Sequence, residues 1–223
     1  MWQGRSHSIW QKSLSVAFNV AVDNGVPLHV IGHSQDLLSH VEERGMWPSS
    51  TTRYCTSDHK RDQVSKVITR LVNDHITTYG AHVHVLNCMG LRAQESSVRA
   101  KKAPFERNAR LSNAKRTVDN WLPIHEWTEA QVWDLIRSKG LPYHYAYDLG
   151  MPRLSCVFCI LAPKEALLLA GYHNRSLLAE YVAVEERIGH TFQHGKPLVQ
   201  IQNALAAGHV PGKVDNPLWM QCA

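Results

Sequence analysis

Three cysteines are the residues of this sequence best suited to metal or redox chemistry. Cys156 and Cys159 form a C-x-x-C pair, and Cys55 lies in a distant segment. A C-x-x-C turn can place two sulfurs on one metal, and a third thiolate can complete a three-ligand site. Zinc would need a fourth ligand, such as Cys88 or a histidine, whereas a 4Fe-4S cluster tolerates an open position. A redox dithiol and buried, unligated cysteines are the alternatives.

A polar loop from Gly90 to Arg99 is the second candidate, because it directly follows a predicted strand. Ligands of open parallel sheets bind at the carboxyl ends of the strands. Gly90 would permit close approach of the backbone, Arg92 and Arg99 could pair with a phosphate, and Ser96 could donate a hydrogen bond. The alternative is a helix N-terminus with ordinary surface arginines that Glu95 orients.

A turn made by Gly150 and Pro152 would present Arg153 beside Cys156. A cation at that place would offset the negative charge of a thiolate-ligated cluster or of an anionic ligand. The alternative is that Arg153 is an ordinary surface residue.

Basic residues are concentrated in one stretch of a chain whose formal net charge is +5. Between Arg92 and Arg116 the only acidic residues are Glu95 and Glu106, against eight lysines and arginines. Such a cluster attracts phosphate or sulfate groups, whether of a nucleotide or of a nucleic acid. A solvated basic face is the alternative.

Hydrophobic periodicity and capping residues predict the elements that would position these groups. Helices are predicted over 13–24, from about 64 to 79, from a Thr128-x-x-Gln131 capping box to Gly140, and over 164–171 and 176–188. Thr56, Ser57 and Asp58 are the expected caps of the second helix. Strands are predicted over 26–31 and 82–87. The alternation of strands and helices predicts one α/β domain with a mainly parallel sheet and helices on both faces.

Composition narrows the class of protein. With 44% hydrophobic residues in 223, the chain can bury a sizeable core. No apolar run approaches the 18 residues of a membrane span, and the first residues do not resemble a signal peptide. The sequence therefore predicts a cytoplasmic protein without a membrane partner, in which the five cysteines favour metal or redox work over a disulfide framework.

Four segments in order resemble the motifs of the phosphoadenosine phosphosulfate (PAPS) reductase family: residues 53–60, 87–96, 121–127 and 153–159. The likeness covers about residues 26–207 and is strongest to the phage and bacterial branch, which is also similar to sulfur-inserting proteins of DNA phosphorothioation. It implies a Rossmann-like fold of the adenine-nucleotide α-hydrolase type. It also implies an oxidoreductase or sulfurtransferase of sulfur metabolism, acting on a sulfonucleotide such as PAPS or on ATP, with a thioredoxin-like electron donor.

The resemblance also implies roles for individual residues. Cys55, Cys156 and Cys159 stand where cluster-bearing relatives hold a 4Fe-4S cluster. Thr56 replaces the second cysteine of relatives that reduce adenylylsulfate, which favours ligation by three thiolates. Four basic residues match phosphate- or sulfate-binding positions: Arg53, Lys60, Arg92 and Arg99.

Two departures from the family pattern put full activity in doubt. The sequence has no S-G-G-K-D-S loop, so the first strand, the loop, the first helix and the second strand of the family are expected to be missing. Cys222 near the end is a weak substitute for the family's mobile C-terminal cysteine. Two other functions therefore stand beside the enzyme: a nucleic-acid-associated module with a structural metal site, and an inactive remnant.

Overall fold

The computed structural model describes residues 8–214, which belong to two compact units. The first unit contains the chain up to Cys55 and again from Pro142 onward, and the second contains the continuous stretch Thr56–Leu141. No helix of the described residues combines the length and apolarity needed to cross a bilayer.

The helices and strands follow one another in this order: α1 Ser8–Asp23, α2 Leu37–Arg44, α3 Tyr54–Thr56, a π-helical turn Ser57–Arg61, α4 Asp62–Tyr79, β1 Val83–Cys88, a 3₁₀ turn Ala93–Glu95, α5 Ser97–Ala100, β2 Phe105–Arg107, β3 Arg116–Trp121, α6 Glu129–Ser138, α7 Lys164–His173, α8 Arg175–Ile188 and α9 Val199–Ala206. The described chain is thus of the α/β class. Of the elements that lie wholly within one unit, α1, α2, α7, α8 and α9 belong to the first, and the three strands with α4, α5 and α6 to the second.

The sheet of the second unit has the order β1-β3-β2. β1 and β3 are parallel, and β2 is antiparallel to β3, so the sheet is mixed rather than mainly parallel. Ile68 and Val72 of α4 pack with Val118 of β3 and with Leu111 to form its core. The predicted apolar stripe of α4 is confirmed in part, because Ile68 and Val72 are buried whereas Val64 and Leu71 are exposed. Gly80 ends the helix in the left-handed conformation.

The core of the first unit is centred on α7 and α8. Four aromatic residues, which we call the aromatic cluster, belong to it: Trp47, Phe158, Tyr181 and Phe192. Tyr181 lies at the middle of this cluster, with its ring centroid 5.4 Å from that of Trp47 and 5.0 Å from that of Phe158. These separations suit offset and tilted ring contacts, which add to the gain from apolar burial.

A buried carboxylate ties the loop after α8 to that helix. Glu185 accepts hydrogen bonds from the backbone N–H groups of Phe192 and Leu198, the second with a length of 2.7 Å. A buried charge is tolerated only where it is hydrogen-bonded, and these two bonds satisfy one oxygen each.

Two predictions for this part of the chain are wrong. Residues 26–31 have no regular secondary structure and form no strand within the described chain, and Val26 and Val30 are exposed. An apolar run becomes a strand only where a neighbouring strand pairs with it. Thr56, Ser57 and Asp58 do not cap a helix start either, because helical structure already begins at Tyr54 and passes through the π-helical turn.

The other predicted elements are confirmed with small shifts of their ends. The 13–24 helix is part of α1, the 82–87 strand is β1, and α7 and α8 match the two later helices. The Thr128–Gln131 capping box forms with both of its hydrogen bonds. α2, β2, β3 and α9 were not predicted.

We expect Glu185→Ala to lower the free energy of unfolding by about 3 kcal/mol, because two buried N–H groups lose a charged acceptor. Urea unfolding followed by circular dichroism measures this change. The matched control is Glu186→Ala, which removes the exposed neighbouring carboxylate and should change stability by no more than about 0.5 kcal/mol. Equal effects of the two substitutions would contradict the anchoring role of Glu185.

Candidate functional site

The first unit gathers the three predicted thiols. Cys55 lies in α3, and Cys156 and Cys159 lie in the loop that precedes α7. All three are half-buried. Cys55 and Cys156 lie close enough to Cys159 to act on its thiol electrostatically. The structure thus brings together residues that are about a hundred positions apart in the sequence.

Phe158, the residue just before Cys159, anchors the C-x-x-C loop to the core of the first unit. Its ring is almost fully buried in the aromatic cluster, whereas both cysteines remain partly accessible. The side-chain amide of Gln193 donates to the carbonyl groups of Ile160 and Ala162 at 2.9 and 2.8 Å. The loop is therefore fixed on both its apolar and its polar side.

Burial raises the pKa of the Cys159 thiol above its ordinary value. The backbone N–H of Leu161 and the guanidinium of Arg153 act in the opposite direction, and the charges of Cys156 and Cys55 add to the rise. Arg153 is thus a cation that acts on this thiol, while its role toward a cluster or an anionic ligand stays a prediction. The thiol form dominates in neutral solution unless a metal replaces the proton.

Tyr181 brings a phenol to the same region from the core side. Burial, followed by the charges of Cys156, Asp36, Cys159 and Cys55, raises the pKa of this phenol far above its ordinary value. The hydroxyl is therefore protonated at any physiological pH. The sequence analysis did not single out Tyr181, because its position in α8 is that of an ordinary core residue.

The turn before Arg153 depends on Gly150, as predicted. Its φ of 97° is unfavourable for other residues, and a Cβ atom there would lie 2.9 Å from the Cα of Lys213. The Gly150 carbonyl accepts a hydrogen bond of 3.0 Å from the Val214 N–H. Arg153 and Cys156 line the same small cavity of about 50 Å³.

In the polar loop of the second unit, the charged side chains pair with one another. The Glu95 carboxylate pairs with the Arg99 guanidinium and lies 3.8 Å from Nε of Arg92. Ser96 is buried, and its hydroxyl accepts from the Arg99 N–H at 3.2 Å to cap α5. Gly90 would accommodate a Cβ atom at an ordinary 3.8 Å from Ile124, so the glycine is not needed for space. Glu95 orients both arginines, as the alternative interpretation expected.

Two residues that the sequence analysis did not single out hold this loop. His125 is buried, and its Nε2 lies 3.0 Å from the Arg99 carbonyl while its own carbonyl accepts from Ala93 N–H. The Gln94 side chain accepts from Arg92 and from the Glu129 N–H. The occurrence of His125 within the 121–127 motif was the available signal for its role.

The remaining predicted residues are exposed or fall outside the described residues. Arg53 is exposed in the first unit, and Lys60 is exposed in the π-helical turn of the second. Cys88 is exposed at the end of β1. Cys222 falls outside the described residues. A phosphate-binding role for Arg53 and Lys60 stays a prediction.

The chain is similar to several curated proteins, each over part of its length. An uncharacterized 37.8 kDa protein of Escherichia phage 186 is 30% identical over 124 residues, which are 56% of this chain and 34% of that protein. The adenosine 5'-phosphosulfate reductase of Staphylococcus epidermidis is 34% identical over 70 residues, or 31% of this chain and 27% of the reductase. The enzyme of the same name from Allochromatium vinosum is 34% identical over 73 residues, or 33% of this chain and 27% of the enzyme. The chain thus spans between about a quarter and a third of the length of these relatives.

A family model for the phosphoadenosine phosphosulfate reductase domain matches residues 34–162, more than half of the chain. The match includes all three thiols of the first unit, the Gly90–Arg99 loop and Arg153. The α/β fold agrees with it. The chain belongs to the PAPS reductase family.

Proposed function

We propose that this protein takes part in sulfur transfer or reduction of a sulfonucleotide or adenine nucleotide, with an iron–sulfur cluster on Cys55, Cys156 and Cys159. The observation that carries the proposal is the grouping of three half-buried thiols with the Arg153 cation in one compact unit. Similarity to proteins named adenosine 5'-phosphosulfate reductase supports the substrate class. Reduction would draw its electrons from an external, thioredoxin-like donor.

The number of thiols favours a cluster over a single zinc ion. A structural zinc site normally has four protein ligands, whereas this group provides three thiols. A 4Fe-4S cluster tolerates one iron without a protein thiolate. When bound, it would offer an iron without a protein thiolate to a substrate sulfur.

Arg153 is suited to act on both the thiols and the substrate. A guanidinium is charged at every physiological pH and can pair with two oxygens of a sulfate or phosphate group. Its place in the Gly150 turn fixes the backbone from which it extends. We propose that it holds the sulfate end of the substrate against the thiol group.

As a separate proposal, the Gly90–Arg99 loop of the second unit binds a phosphate group of a nucleotide. Both arginines are already paired with Glu95, so an incoming phosphate must compete with a carboxylate for them. This competition predicts weak binding for the loop alone, with a dissociation constant on the order of a millimolar.

The cluster proposal predicts that Cys55→Ser, Cys156→Ser and Cys159→Ser each abolish iron incorporation, because each removes one of three thiolates. Iron and sulfide per chain, with absorbance near 400 nm after anaerobic reconstitution, measure the effect. The matched control is Cys222→Ser, which should leave iron content unchanged.

Two results would separate the alternatives. Zinc in place of iron, with no visible absorbance, would contradict the cluster. Loss of iron in Cys88→Ser would add a fourth thiolate to the proposed three.

The loop proposal predicts that Arg92→Ala weakens binding of adenosine 5'-phosphosulfate by about tenfold, since one charge-assisted pair is worth about 1.5–3 kcal/mol. Lys101→Ala, in the exposed turn after α5, should change this affinity less than twofold. Isothermal titration calorimetry measures both, and urea unfolding checks that Arg92→Ala is folded. Equal losses in the two variants would place the nucleotide elsewhere.

A further inference from the structure

One face of the sheet in the second unit is open, and its residues are set by the register. Residues that are partners across neighbouring strands point to the same face. Val85 and Val118 are partners and pack beneath α4. The next positions along each strand must therefore point away from α4. We call this surface the open face, and its residues are His84, Leu86, Cys88, Phe105, Arg107, Thr117, Asp119 and Trp121.

Large apolar side chains of the open face are exposed. Phe105 and Trp121 are register partners, so their Cβ atoms are about 5 Å apart, and they are 58% and 42% exposed. Leu86 on β1 is 50% exposed. Two neighbouring aromatic rings on a sheet surface form a platform on which flat ligands can stack.

A buried carboxylate fixes the cations of this face. Asp119 is 4% exposed and accepts from Nε of Arg107 at 2.7 Å and from Nε2 of His84 at 2.5 Å. These two partners, His84 first, hold the pKa of Asp119 below its ordinary value. The carboxylate therefore stays charged and holds Arg107 in place, while 60% of the Arg107 side chain remains exposed beside Phe105.

The charge around the platform is positive. Lys101 and Lys102 are exposed in the turn that leads into β2. Glu106 is the register partner of Asn120 and so points toward the opposite face. The only carboxylate on the open face is Asp119, which is already bound by Arg107 and His84. An anionic partner with flat apolar groups thus fits both the charge and the surface chemistry.

We propose that the open face binds single-stranded nucleic acid, with bases stacked on Phe105 and Trp121 and phosphates held by Lys101, Lys102 and Arg107. Stacking on aromatic side chains beside a basic groove is the usual basis of strand binding without sequence preference. A protein partner is less well matched, because the cores of protein interfaces are depleted of lysine and of charge. The residues of this site are different from the three thiols and from the Gly90–Arg99 arginines, so the proposal does not depend on the proposed function.

The test is fluorescence anisotropy of a labelled oligo-dT of about 12 nucleotides, a length within the range of single strand-binding domains. Phe105→Ala should weaken binding by at least about fivefold, because stacking contributes about 1–3 kcal/mol per base. Trp121→Phe keeps an aromatic ring and should retain most of the affinity. The matched aromatic control is Tyr79→Ala, which removes an equally exposed ring at the end of α4 and should have no effect.

Salt dependence tests the basic part of the site. Lys101→Ala should lower the slope of log affinity against log salt by about 0.7, the value for one phosphate contact on a single strand. The matched control is Lys66→Ala on α4, which should leave the slope unchanged. A duplex of the same length should be insensitive to Phe105→Ala, because its bases are not available for stacking.

Three results would overturn the proposal. They are absence of oligonucleotide binding in low salt, equal losses with Tyr79→Ala and Phe105→Ala, and self-association that Phe105→Ala abolishes. The last result would assign the open face to a second copy of the chain. Iron content and nucleotide affinity measured in Phe105→Ala keep the two proposals apart, because both should match the unaltered protein.

Discussion

The burial of Phe158 is the constraint on which the thiol site depends. This ring is 2% exposed and contacts Tyr181 within the aromatic cluster. Because Phe158 lies between Cys156 and Cys159, its insertion into the core leaves both sulfurs near the surface. Gln193 then fixes the backbone that follows. A pair of reactive groups is thus positioned by the least reactive side chain of the motif.

The fold could be predicted where a local signal existed. The stripe of α4 and the capping box of α6 needed no tertiary information, because periodicity and side-chain caps act within one helix. β3 carries no such signal, since Arg116 and Asp119 are polar yet buried. Arg116 becomes acceptable inside only because Leu111 O and Thr69 Oγ1 accept its hydrogen bonds. The opposite error, a predicted strand that does not form, occurred for residues 26–31. Their composition suits a strand, but no described neighbour pairs with them.

In the candidate sites, too, local sequence signals predicted some residues, whereas others became evident only from tertiary contacts. The C-x-x-C spacing identified Cys156 and Cys159, and Arg153 was found by its distance from them along the chain. What the sequence could not give was the set of restraining contacts. Glu185 and Gln193 read as ordinary helix and loop residues, although their side chains satisfy backbone groups that are far apart in sequence. For the Gly90–Arg99 loop, composition suggested two available arginines, and only the structure revealed that one carboxylate serves both.

The first unit is interrupted in the chain, and this has a consequence for the order of events during synthesis. Cys55 is made about a hundred residues before Cys156, and Thr56–Leu141 is made between them. At about 5–20 residues per second, Cys55 waits roughly 5–20 s for its two sulfur neighbours. The second unit is a continuous stretch and has its whole sequence available during this interval. The three thiols can therefore come together only after Cys159 has been made, when the second unit already has its complete sequence.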